Sequence, residues 1–201
     1  MKNLRDNTYI IGITGGIGSG KSVVSRLLRL MDVPVYDCDR EAKRLMHESH
    51  TIREALTEAI GTGVYGTDGH LDRTFLASYM FGNATRVAMV NGIVHPVVRT
   101  DFKQWARQTG KPLVAVESAI LFEAGMDADV DTVWLVHAPE SVRLQRAVQR
   151  DRASKEAVMN RMRSQLKEEE YIQRANCIIC NDGTSSLIAQ VGDLLHGIYR
   201  K

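Results

Sequence analysis

Gly15-Gly16-Ile17-Gly18-Ser19-Gly20-Lys21-Ser22 decides how this chain folds. The stretch fits G-x-x-x-x-G-K-[ST], a loop whose backbone cradles phosphates. Tyr9-Ile10-Ile11-Gly12-Ile13-Thr14 precedes it, a short β-rich run that predicts a strand, and Val23 to Met31 follows with a helical pattern. Strand, glycine loop and helix are the context such a loop needs. Glycines let the backbone wrap closely round a phosphate, and the opening N–H groups of the helix point at it. Lys21 places a positive charge near the β- and γ-phosphates, and the Ser22 hydroxyl is placed to ligate Mg²⁺. Gly16, Ile17, Gly18, Ser19, Gly20, Lys21, Ser22 and Val23 are the candidate nucleotide-binding residues.

Four more short apolar runs lie outward from this one: Val33–Tyr36, Leu113–Glu117, Thr132–Val136 and Asn176–Cys180. All five are nearly continuous in apolar character, as strands buried on both faces of a parallel sheet are. Helical patterns separate them. The fold class is α/β, a five-stranded parallel sheet flanked by helices and joined by right-handed crossovers.

The gaps between strands are unequal. About 75 residues, Asp37 to Lys111, separate the second strand from the third, far more than one crossover helix needs. Residues 39–60 predict one or two helices and 72–91 another helical region, after a glycine-rich turn at Gly61–Gly69. Val97, Val98, Phe102 and Trp105 form an apolar stripe at helical spacing. A mostly helical substrate domain is expected at 38–111. Pro139–Arg174 predicts two helices, broken near Asp151–Ser154. Within it, Arg143–Arg163 holds seven cationic side chains against two anionic ones. Arg143, Arg146 and Arg150 fall at i, i+3 and i+7 and share one helix face. Small phosphate-loop kinases carry an arginine-bearing lid at this place, so 139–170 is expected to be a lid. The nucleotide-binding core is then 1–37, 112–138 and 171–201.

Composition narrows the classes. The 201 residues suffice for one or two domains, and 44% hydrophobic with 25% charged residues is ordinary for a globular protein. A formal net charge of +2 gives no reason to expect nucleic acid or a membrane surface as partner. No run approaches the roughly 18 apolar residues that span a bilayer. Asp6-Asn7-Thr8 interrupts any leader-like apolar stretch, so the cytoplasm is the expected compartment. Three cysteines, Cys38, Cys177 and Cys180, suit a reducing environment. Cys177 and Cys180 have C-x-x-C spacing, but on a strand residues three apart face opposite ways. They are expected to be small core residues.

The remaining candidates follow the strands. In a parallel sheet, ligands collect at the carboxyl ends of the strands. Asp37-Cys38-Asp39 follows the second strand, and a carboxylate there can take a proton from an attacking hydroxyl or hold Mg²⁺ through water. Asp39 could equally cap the next helix. Glu117, ending the third strand, is a candidate Mg²⁺–water partner. His95-Pro96 reads as a helix start, with His95 either contacting substrate or capping.

Taken together these features are specific. The chain resembles the dephospho-CoA kinase family from Tyr9 to about Gly192. The resemblance is carried by Gly12-Ile13-Thr14 with the glycine loop, Val33-Pro34 leading into Asp37-Cys38-Asp39, His95-Pro96, Leu121-Phe122-Glu123, Arg146 through Arg150-Asp151, Gln165, and Ala175 with Ile178-Ile179 and Asn181. It implies ATP-dependent phosphorylation of the ribose 3′-hydroxyl of dephospho-CoA, with Mg²⁺ accompanying ATP. Catalytic roles then fall to Asp39, Lys21, Arg146 and Arg150, and substrate contacts to Asp37, Lys43 and His95. Three positions depart from the family pattern. Ala119-Ile120 stands where Pro-Leu is usual, and Asn176 where Asp follows Ala. Lys43 stands for an arginine, which turns a two-pronged contact into a point charge. Two rivals remain at this level: another small kinase, on a nucleoside, a nucleoside monophosphate or gluconate, and a nucleotide-binding switch protein. The aspartate pair and long insert argue against the first, the arginine-rich lid against the second.

Overall fold

A computed structural model describes residues 8–200. Asp6 and Asn7, on which the leader argument rests, lie outside them. The chain divides into two compact units, one built from the segment ending at Tyr36 together with Ala106 onward, the other from Asp37–Trp105.

The first unit carries the sheet. Its strands are β1 Tyr9–Thr14, β2 Val35–Asp37, β3 Leu113–Glu117, β4 Thr132–His137 and β5 Cys177–Cys180, in spatial order β2-β3-β1-β4-β5. β1 pairs in parallel with β3, Ile13 opposite Glu117, and with β4, Thr14 opposite Leu135. The glycine loop therefore leaves the middle of the sheet, flanked by the carboxyl ends of β3 and β4. Ile11 and Ile13 of β1 pack on one face with Val24 and Leu28 of α1 (Lys21–Leu30) and Val191 and Leu195 of the last helix, all 6% exposed or less. On the other face Gly12 leaves room for Leu121 and Val130, whose side chains would stand 3.1 and 3.2 Å from an added Cβ.

β1, β3 and β4 match the expected strands, and β5 departs in one respect. It is an edge strand, and its Ile178 is 44% exposed while Ile179 is fully buried. Cys177 and Cys180 are only half-buried. Apolar composition alone does not separate an edge strand from a central one, which is why burial on both faces was expected here. The side-chain amide of Gln190 accepts the Cys180 N–H at 2.8 Å and donates to the Cys180 carbonyl at 2.9 Å.

The second unit is helical: α2 Cys38–Glu48, α3 His50–Ile60, α4 Arg73–Met80 and most of α5, which runs Ala84–Gln108. Gly82, at φ +68°, breaks the helical region expected at 72–91 into α4 and the start of α5. Pro96 lies inside α5 and does not begin a helix. Val90, Val94, Val98 and Phe102 are buried at i, i+4, i+8 and i+12, so one apolar face carries the helix through the proline. The Thr100 hydroxyl donates to the Pro96 carbonyl at 2.9 Å. His95 therefore caps nothing; it is a mid-helix residue.

In the sheet unit, Pro139–Arg174 holds three helices where two were expected: α6 Glu140–Asp151, α7 Lys155–Arg163 and α8 Glu168–Arg174. Three glutamates open α8, a favourable charge at a helix N-terminus. α9, Leu187–Tyr199, closes the chain.

Candidate active site

The amino end of α1 is open to an anion. Its N-cap is Gly20, at φ +99°, with no side-chain cap and no acidic residue in the first turn. The orphan amides of a helix start need an acceptor, and the macrodipole favours a negative one. Within the loop, the Ser19 N–H bonds to Gly16 O at 3.1 Å and the Val23 N–H to Gly20 O at 2.9 Å. The Ile17 N–H bonds to Gln165 Oε1 at 2.8 Å. The Lys21 ammonium lies against the loop, donating to the carbonyls of Gly15 at 2.8 Å and Gly16 at 3.3 Å. It is thus held at the loop's rim, beside the space it would serve.

α6 packs directly on the loop. Gly18 has φ +79°, and a Cβ there would meet the backbone carbonyl of Arg143. A Cβ on Gly16 would meet the Arg143 guanidinium. Arg143 donates from Nε to Ala138 O at 3.0 Å and from Nη2 to Glu168 at 3.1 Å. The other oxygen of Glu168 lies 3.4 Å from His137 Nδ1. Arg146 donates to Asn181 O at 3.0 Å, and the Asn181 amide donates to Ser19 O at 2.7 Å. Replacing Gly18 by alanine is expected to destabilise the protein by about 2 kcal/mol or more, combining left-handed strain with a backbone clash. Thermal unfolding checks this, with Gly197→Ala, at an open helix position, as control.

The three arginines expected to share a face have separate duties. Arg143 and Arg146 fasten the loop region, whereas Arg150 forks onto Asp151 at 2.7 and 3.2 Å, and Arg161 of α7 joins the same carboxylate at 2.8 Å. The hydrogen bond from Arg150, then that from Arg161, holds the Asp151 pKa down to about 2. The folded state favours the ionised form, so this contribution is present above the ordinary aspartate range and is lost as pH falls towards 2. A carboxyl-carbon NMR titration should place the Asp151 midpoint near 2, and higher in Arg161→Ala.

Hard oxygen donors suited to Mg²⁺ stand at the α1 start. Ser22 is exposed in the first helical turn. One turn on, the Ser25 hydroxyl donates to Glu117 Oε2 at 2.6 Å, which places the Glu117 carboxylate along the same helix face. The cavity beside the loop measures about 560 Å³, and Gly16, His137, Arg143, Met162, Gln165 and Glu168 line it.

In the helical unit, Asp37 is the N-cap of α2, accepting the Arg40 N–H at 3.0 Å. Asp39 does not cap; it is exposed in the first turn of α2. Lys43 is exposed on the same helix. Its neighbour Arg44 forks onto Asp101 at 3.1 and 3.0 Å and also reaches Glu41 and Glu48. Burial pushes the His95 pKa down, so the ring is neutral at pH 7. Sequence reasoning gave no role to Glu168 or His137, and to Arg143 only a place on the arginine face of the lid. Nothing in the sequence pairs these three, because the contacts join residues 25 and 31 positions apart in different elements.

An open parallel sheet ordered β2-β3-β1-β4-β5, a G-x-x-x-x-G-K-S loop leaving its central strand and an arginine-bearing helical segment after β4 define a phosphate-loop kinase. The dephospho-CoA kinase family model matches residues 9–186, and the chain belongs to that family. A protein named dephospho-CoA kinase from Bacteroides fragilis is 46% identical over 192 residues, 95% of this chain and 93% of its own length. The crystal structure of TT1252 from Thermus thermophilus superposes with a TM-score of 0.81 at 36% identity, covering 97% of this chain and 98% of that one. A dephospho-CoA kinase structure from Campylobacter jejuni, 20% identical over 96% of this chain and 98% of its own, shares the fold with a TM-score of 0.61. Among the described residues, no helix is long and apolar enough to cross a membrane.

Proposed function

We propose that this chain transfers the γ-phosphoryl group of ATP to the ribose 3′-hydroxyl of dephospho-CoA, giving CoA and ADP, the last step of CoA synthesis. Membership of the dephospho-CoA kinase family carries the proposal, and the uncapped, glycine-led start of α1 supplies the anion site it requires. The loop from Gly16 to Ser22, with Val23 shaping the first turn, takes the ATP phosphates. Lys21 exchanges the Gly15 and Gly16 carbonyls for β- and γ-phosphate oxygens. Mg²⁺ would be held by Ser22, with Glu117 and Asp39 contributing through water, and supplies neutralising charge at the phosphates.

Asp39 accepts the proton of the 3′-hydroxyl as it attacks the γ-phosphorus, and the β–γ bridging bond breaks to release ADP. Arg146 and Arg150 stabilise the charge on the transferring group; Arg150 does so by exchanging Asp151 for a phosphoryl oxygen. Residues 38–111 take the pantetheine arm, with Lys43 and His95 as contacts there, Asp37 a further substrate contact, and burial favouring the neutral form of His95. The direct test is ADP release from MgATP with and without dephospho-CoA, with the product identified by mass. A dephospho-CoA-dependent release and a gain of about 80 daltons, one phosphoryl group, are expected. ADP release indifferent to dephospho-CoA, without that gain, refutes the proposal.

A further inference from the structure

Gln165 lies in the short link between α7 and α8, and its Oε1 accepts the Ile17 N–H at 2.8 Å. A backbone N–H only donates, so the partner end of this planar amide must be its oxygen. The two N–H donors of the same group are thereby fixed at the opposite end. Gln165 also lines the cavity of about 560 Å³ beside the loop, together with Gly16 and Arg143. A neutral group with one end tied to the phosphate loop and donors at the other is a preorganised anion ligand.

We propose that Gln165 is a further residue of the phosphoryl-transfer site. Its oxygen holds the loop at Ile17, and its NH₂ group donates to an oxygen of the transferring phosphoryl group. The inference rests on the glycine loop being the ATP site. In phosphoryl transfer the charge spreads over the three equatorial oxygens of the moving group, and fixed donors aimed there lower the barrier without reorganising. The amide orientation cannot reverse without setting NH₂ against the Ile17 N–H, so the loop itself selects the donor end. The link also makes lid and loop one assembly: the segment that follows α7 ends on the loop backbone, and three residues later Glu168 grips Arg143 over Gly16.

Two substitutions separate the two ends of the amide. Gln165→Glu keeps an acceptor for Ile17 and replaces the donors by a charged oxygen. Gln165→Met keeps the length and removes both functions. MgADP affinity, measured by calorimetry, reads the loop alone, because ADP lacks the transferring group. Turnover with MgATP and dephospho-CoA reads the donors. The expected result is that Gln165→Glu binds MgADP within about threefold of the parent while its kcat falls about 10²-fold, the order lost with one transition-state donor. Gln165→Met should lose in both measurements, by about 10²-fold or more in kcat. A Gln165→Glu variant with kcat within threefold of the parent overturns the donor role, leaving only the loop-holding contact. Equal kcat losses in both variants, matched by equal losses of MgADP affinity, overturn it too. The parent protein and Lys21→Ala run alongside. A parent without dephospho-CoA-dependent turnover refutes the kinase proposal itself, and an active parent confines any failure to Gln165.

Discussion

Lys21→Ala is expected to lower kcat/KM for MgATP by about 10³-fold or more, the order of losing a positioned cation at a developing phosphoryl charge. The reason lies in how the side chain is held. Its ammonium rests on the Gly15 and Gly16 carbonyls of the glycine loop, which under the proposed function puts the charge beside the ATP phosphates. Removal costs both that charge and the loop's own crosslink. Unfolding should shift little, because the bonds from Lys21 to the Gly15 and Gly16 carbonyls lie in a partly exposed place. Steady-state kinetics against MgATP with a thermal melt checks both halves. Kinetics within threefold of the parent would end the assignment of this loop to the nucleotide.

Asp39→Asn is expected to lower kcat by about 10²–10⁴-fold, the usual worth of a positioned general base. KM for both substrates should stay within a few-fold, since an amide retains the size and much of the hydrogen bonding of the carboxylate. The capping bond of α2 belongs to Asp37, through the Arg40 N–H, so Asp39 is not needed to start its helix. Loss of activity in Asp39→Asn with an unchanged melt would therefore report chemistry. Asp37→Asn is the matched control: asparagine caps as well as aspartate, so the helix should survive. A decrease in kcat below threefold for Asp39→Asn would refute its role as base.

The sheet was legible in the sequence because its strands are short β-rich runs set between helical patterns, and because the glycine loop names its own strand and helix. Lys21 and Ser22 came with the loop for the same reason. Local pattern misjudged two kinds of place. The first is where a tertiary face overrides a local stop: Pro96 signals a helix start, yet a buried stripe from Val90 to Phe102 carries α5 past it. The second is at the sheet edge, as at β5, where Ile178 is as apolar as Ile179 but points to the opposite face and is left exposed. The arginines show the same limit in the site. Periodicity put Arg143, Arg146 and Arg150 on one helix face, and only the fold assigns them to Glu168, Asn181 and Asp151.

The Gln190 side chain on Cys180 has a meaning for how this protein behaves in a crowded solution. A parallel sheet ends in a strand whose outward N–H and C=O groups would accept another chain, the first step towards fibrillar growth. β5 is only four residues long, and a primary amide from α9 imitates one rung of the absent neighbour there, donor to acceptor and acceptor to donor. The edge is terminated from within, so the molecule keeps an open sheet without offering its full length as a template to other molecules.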